Sequence, residues 1–93
     1  KAIPLALILN ELINNSYKHA FQNQQQPQIN VGFIEEVNSF KFSYSDNGIF
    51  KEKRGNKISM GMKIVHMMVT QLKGTYQIQK DKNFAFELVF LKD

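Results

Sequence analysis

The 93-residue chain reads as an α+β domain in which helices pack on one face of a mainly antiparallel sheet. Three observations predict this. Apolar residues recur at helical spacing in two separate stretches, two pairs of segments alternate apolar and polar residues with a period of two, and each helical stretch is followed directly by one such pair.

The first helix is expected over residues 3–20. Pro4 suits a first-turn position, and Leu5, Leu9, Leu12, Ile13 and Ala20 recur behind it at helical spacing. "FQNQQQPQ" is polar and contains Pro27, which marks a loop. "QINVGFI" then alternates Ile29, Val31 and Phe33, and "SFKFSYSD" alternates Phe40, Phe42 and Tyr44; with only "EEVN" between them, an antiparallel hairpin is the economical arrangement. Residues 47–58 hold two glycines and five charges without sustained periodicity, so a surface loop is expected. From Ser59 to Leu72 the apolar positions Ile64, Val65, Met68 and Leu72 describe a second helix, with Gly74 as its terminating glycine. "TYQIQK" and "FAFELVFL" form the last strand pair around the turn "DKN".

Composition narrows the function classes. With 43% hydrophobic, 12% aromatic and 22% charged residues, the chain is globular rather than disordered. It contains no cysteine, which excludes a disulfide scaffold and any thiolate metal site. No apolar run approaches the roughly 18 residues of a membrane span, and residues 1–10 are too short and wrongly flanked for a signal peptide. The net charge of +4 invites a polyanion partner, but the lysines are scattered singly and the only dense basic run is "KEKRGNK", residues 51–57. That argues against a nucleic-acid surface and leaves the phosphates of a nucleotide as the smaller polyanion. The chain begins directly in a helix, so it is expected to be truncated at the N-terminus, a fragment of a larger protein.

Three stretches carry candidate chemistry. In "NELINNSYKHAF", residues 10–21, a helical wheel at about 100° per residue sets Asn10, Asn14, Lys18, Glu11, Asn15 and His19 side by side, with Leu12, Leu9, Ala20, Ile13 and Tyr17 on the other half. A solvated face explains the pattern in part. Three asparagines, however, cost roughly a few tenths of a kcal/mol each relative to Glu, Lys, Gln or Ala. Short amides and a carboxylate at i and i+4 offer oxygen ligands to a hard cation such as Mg²⁺, and Lys18 adds a point charge for phosphate. In "SYSDNGI", residues 43–49, Asp-Asn-Gly is either simple turn chemistry or a strand end at which Asp46 accepts from an exocyclic amine while Gly48 leaves room for a flat ring. In "SMGMKIV", residues 59–65, Gly61 in the first helical turn is either loop chemistry or an open phosphate-binding helix start.

In this order the three stretches resemble the catalytic, ATP-binding domain of bacterial sensor histidine kinases, within the GHKL superfamily of gyrase, heat-shock chaperone, histidine kinase and mismatch-repair ATPases. "IPLALILNELINNSYKHAF" is similar to the family's N box, "SDNGI" to its G1 box and "SMGMKIVHMMVTQLKG" to its G2 box and following helix. The resemblance covers nearly the whole chain. It implies one domain over residues 1–93 with the Bergerat fold, a two-layer α/β (α+β) sandwich with a mixed, mainly antiparallel sheet and helices on one face.

The resemblance also implies roles. Asn15 would hold Mg²⁺ bridging the phosphates, and Glu11 would polarise or orient a metal-bound water or the attacking group; these two are the catalytic candidates. Lys18 would contact phosphate, His19 would lie against the adenosine, and Asp46 would accept from the adenine amine with Gly48 giving the base clearance. Residues 50–58 would form a short ATP lid carrying Lys51, Lys53, Arg54 and Lys57. Gly61 and Met62 would offer backbone N–H groups. The sequence departs from the family pattern where Phe50 stands for a G1 glycine, Ser59 for a G2 glycine, and Asp81 and Lys82 for a Gly-Thr pair.

The implied activity is that of a two-component protein histidine kinase, with ATP and Mg²⁺ as cofactors. The implied phosphoacceptor is a histidine on an upstream dimerisation segment, and the implied onward partner is a response regulator receiver domain; no nucleic acid is expected. The parent would be a homodimer with this domain in the cytoplasm, whether or not it is membrane-anchored. His66 shares a face with Lys63, Thr70 and Lys73 and is expected at the surface, so it is not the acceptor, and the fragment should bind ATP without phosphorylating itself. The alternatives are an ATP-gated conformational ATPase module of the same superfamily and a degenerate, non-catalytic nucleotide-binding module.

Overall fold

The structure, a computed structural model, describes residues 1–20, 26–48, 60–80 and 83–92, the side chains of residues 19 and 20 excepted. Helix α1 spans Ala2–Asn15 and passes into a π-helical turn, Ser16–Ala20. Strands β1, Ile29–Glu35, and β2, Ser39–Asp46, form the first hairpin. Helix α2, Met60–Gln71, leads to the second hairpin of β3, Thr75–Lys80, and β4, Phe84–Leu91.

The four strands form one sheet in the order β1-β2-β4-β3, with every neighbouring pair antiparallel. The mixed sheet expected from the sequence is thus wholly antiparallel among the described strands. The β2–β4 pairing is the long-range step. It sets Phe40 opposite Phe90, Phe42 opposite Leu88 and Tyr44 opposite Phe86, so the alternate residues of both strands face the helices together. Ile8 and Leu12 of α1 and Val65, Val69 and Leu72 of α2 or its end close over this aromatic row. Each such side chain, fully buried, contributes about 1.5–3 kcal/mol, and the rows together make the single core.

Three details differ from the periodicity reading. First, the helical segment changes winding after Asn15. The π turn widens the spacing of residues around the axis, and Tyr17, on the apolar half of the ideal wheel, is 61% exposed while Ser16 is only 2% exposed. Second, Val31 and Phe33 share the helix-side face but are 52% and 51% exposed. β1 is an edge strand, so Ile29 packs against the core while Phe33 is left to stack on Phe40 at 5.2 Å between ring centroids. Third, α2 closes in a Schellman arrangement in which Lys73, not Gly74, takes the left-handed conformation, with φ 55°. The Lys73 N–H donates to Thr70 O at 3.0 Å and the Gly74 N–H to Val69 O at 3.0 Å. Gly74 is needed for a different reason: a β-carbon there would lie 2.8 Å from Val89 O and 2.9 Å from Leu88 Cδ1.

The helices run antiparallel. Glu11 and Asn15 near the end of α1 meet Gly61 at the start of α2, while Lys1–Pro4 and Gln71–Leu72 line a groove at the other end. Among the described residues no helix is long and apolar enough to cross a membrane.

Candidate functional site

One end of the sheet gathers the last residue of β2, the first of β1, Asn83 just before β4, the end of α1 and the start of α2. Asp46 closes β2 there, and the residue is 4% exposed. Oδ1 accepts the Gly48 backbone N–H at 3.0 Å and Oδ2 accepts the Ser16 hydroxyl at 2.7 Å. The first contact is a local Asx turn, so the turn chemistry of Asp-Asn-Gly is real; it also fixes the carboxylate against the buried Gly48. A carboxylate has about four acceptor positions, of which these donors fill two.

Ser16 is the site residue that periodicity reasoning missed. It continues the buried i, i+4 stripe Ile8–Leu12–Ser16, and its hydroxyl lies between the Asp46 carboxylate and the Tyr44 phenol. That spacing was the available signal: a serine at the next position of an apolar stripe needs a polar partner inside. Tyr44, 1% exposed, also reaches the Leu12 carbonyl at 3.2 Å. Burial pushes the phenol above its ordinary value of 10.0; the Ser16 hydrogen bond opposes the shift, and the neighbouring Asp46 and Tyr17 add to it. Tyr44 is therefore a protonated donor at neutral pH.

Glu11 and Asn15 converge one turn away. A β-carbon on Gly61 would lie 2.6 Å from Glu11 Oε2 and 3.7 Å from Asn15 Oδ1. The glycine lets the start of α2 come against this carboxylate and amide, and Met62 follows in the same turn. Asn10 and Asn14 are exposed, whereas Glu11 and Asn15 are half-buried, so the polar face expected on α1 divides into a solvated side and a side turned toward α2. Lys18 is exposed on the π turn, and the side chain of His19 lies outside the described residues.

Two asparagines brace the site. Asn47 Oδ1 accepts from the Gln28 N–H at 2.8 Å and its Nδ2 donates to Gln26 O at 2.9 Å, tying the segment after β2 to the one before β1. Asn83 Nδ2 donates to Gly48 O at 2.7 Å, which ties the residue before β4 to the Asp46 segment. The expected lid, residues 50–58 with Phe50, Lys51, Lys53, Arg54 and Lys57, lies outside the described residues, as do Ser59, Asp81 and Lys82.

Among the described residues no three His, Cys, Asp or Glu side chains gather as a metal cluster. The donor set at Gly61 is one carboxylate and one amide oxygen. This is too few for a closed cage but suits an octahedral cation that keeps waters and shares ligand phosphates.

The two-layer α+β fold, with helices on one face of an antiparallel sheet, is shared with solved histidine kinase structures. The histidine kinase domain of the Erythrobacter litoralis EL346 blue-light activated histidine kinase superposes with a TM-score of 0.83 at 14% identity, covering 94% of this chain and 42% of that one. A second structure of that kinase gives 0.81 at 14% identity over 94% and 29%. The Acinetobacter baumannii histidine kinase AdeS gives 0.76 at 16% identity over 95% and 45%. The chain thus spans less than half of each of these structures, and what it shares with them is the fold. No protein-family model and no curated protein matches the sequence.

Proposed function

We propose that this chain is the ATP-binding catalytic domain of a two-component sensor histidine kinase, which transfers the γ-phosphoryl group of ATP to a histidine on a dimerisation segment. One observation carries the reading: Glu11 and Asn15 flank Gly61, and Ser16, the next residue, is bonded to Asp46, so three segments distant in sequence meet at one end of the sheet.

In this reading Asp46 accepts the adenine 6-amine with an acceptor position left by its two protein donors, and Gly48 lies under the base. Asn15 supplies an amide oxygen to Mg²⁺, and Lys18, with the N–H groups of Gly61 and Met62, faces the phosphates. Bound Mg²⁺ supplies neutralisation of phosphate charge. Glu11, held against the glycine, orients the attacking imidazole by accepting its ring N–H. Catalysis of this kind is positioning and charge stabilisation rather than covalent chemistry on the protein. In this reading the acceptor lies on the dimerisation segment; His66 sits exposed on α2 with its Nδ1 3.3 Å from the Tyr76 hydroxyl. The parent is read as a homodimer with this domain in the cytoplasm, passing the phosphoryl group to a receiver domain.

Isothermal titration with ATP and Mg²⁺ tests the reading. Binding that weakens on chelation and on replacing ATP by GTP is expected; no heat with ATP would overturn it. Adding the dimerisation segment then separates a kinase, which forms phosphohistidine, from an ATPase, which only releases phosphate.

A further inference from the structure

Ser16 occupies a position where an apolar side chain would complete the stripe begun by Ile8 and Leu12. A hydroxyl there is costly unless its donor and acceptor are both used. Both are. The Asp46 carboxylate can only accept, so the single Ser16 proton goes to Oδ2 at 2.7 Å. The Ser16 oxygen then accepts from the Tyr44 phenol, kept protonated by burial, whose one proton is shared between Ser16 Oγ and the more distant Leu12 carbonyl at 3.2 Å. The hydrogen bonds run in one direction, from the Tyr44 O–H to Ser16 Oγ, with Leu12 O as its second acceptor, and from the Ser16 O–H to Asp46 Oδ2. The Gly48 N–H holds the other carboxylate oxygen at 3.0 Å. With each oxygen tied to a different segment, the plane of the carboxylate is set by the π turn and by the segment after β2 together.

We propose that Ser16 is a positioning residue for nucleobase selectivity: through its hydrogen bond it fixes the rotation of the Asp46 carboxylate, and Tyr44 holds Ser16 in the donating orientation. The proposal rests on the adenine-binding reading of Asp46 and assigns its selectivity to the first residue of the π turn that follows α1. The free acceptor positions of Asp46 then point one way before a ligand arrives, and a purine bearing an exocyclic amine is favoured because no reorientation accompanies its binding.

The test compares ATP with the triphosphate of purine riboside, which lacks only the 6-amine, by titration in Mg²⁺. The unmodified chain should prefer ATP. In Ser16→Ala the ATP affinity should fall about tenfold, a hydrogen bond to a charged acceptor being at stake, while the analogue should bind within about twofold of its original affinity. Tyr44→Phe should move the same ratio in the same direction by about two- to threefold. A structural role for Ser16 would lower both affinities equally; that result, or an unchanged ATP affinity, overturns the proposal. If Ser16→Ala proves unfolded by circular dichroism, Tyr44→Phe carries the test with the same criterion. Failure of the underlying reading is seen separately, as an unmodified chain that binds neither nucleotide, and it takes this proposal with it.

Discussion

Asp46 and Asn15 represent two ways in which a single side chain sets a site. Asp46 is buried and held by a hydroxyl and a backbone N–H, so its replacement by Asn exchanges an acceptor-only group for one that also donates. Asp46→Asn is expected to narrow the preference for ATP over GTP by roughly 1–3 kcal/mol, because a carboxylate facing the guanine oxygen opposes acceptor to acceptor; competition titration with the two nucleotides measures it. An undiminished preference would remove the adenine role. Asn15 is half-buried beside Gly61 and outside the core, so Asn15→Ala should abolish Mg²⁺-dependent ATP binding while leaving the circular dichroism spectrum intact. Retained affinity would overturn the metal role proposed for it. At this scale unusual residue type and spacing single out Glu11, Asn15 and Asp46 in the sequence, and the structure brings the first two to Gly61 and the third to Ser16. At Ser16 the stripe position signalled that an inward polar partner was needed, but not which one, and one tyrosine in an alternating strand is ordinary until its hydroxyl meets Ser16, which in turn holds the Asp46 carboxylate.

Elements meet through what glycine omits and what a helix end demands. At Gly61 a β-carbon would press on the far end of the flexible Glu11 side chain, not on backbone. Gly61→Ala should therefore hold or raise thermal stability, since Ala gains up to about 1 kcal/mol over Gly within a helix. The displaced Glu11 should at the same time cut phosphoryl transfer to an added dimerisation segment by about tenfold or more. Equal activity of the two proteins would show that Glu11 needs no fixed position. At the other end of α2 the strain lies on Lys73, whose φ of 55° is a conformation suited to glycine. Lys73→Gly should stabilise by about 0.5–1 kcal/mol, the relief exceeding the added freedom of the unfolded chain, and raise the unfolding midpoint by several degrees in calorimetry. The sequence pointed to a glycine stop, but propensity places the left-handed residue on Gly74. The close approach of Val89 and Leu88 decides where the chain turns.

For the whole molecule, the buried Tyr44 links stability to pH. Its phenol is raised above 10.0 in the fold by desolvation first, so the folded state holds its proton more tightly than the unfolded chain does. The sign follows: this contribution is fully present below pH 10.0 and is lost as the pH rises through the raised folded value. The unfolding midpoint should fall more steeply above pH 10 in the parent chain than in Tyr44→Phe, as melts across the alkaline range would show. Parallel slopes would mean that Tyr44 is not the linked group. What the sequence by itself determined was the identity and order of the elements, the hairpin pairs and the polar stripe of α1, because these follow from local periodicity and turn chemistry. Only the tertiary structure decided that β2 pairs with β4, that α1 unwinds into a π turn, that Val31 and Phe33 stay partly uncovered, and that Ser16 ties α1 to Asp46. Each of these depends on which distant surfaces come together, and a side chain's partner across about 30 residues of chain leaves no periodic trace.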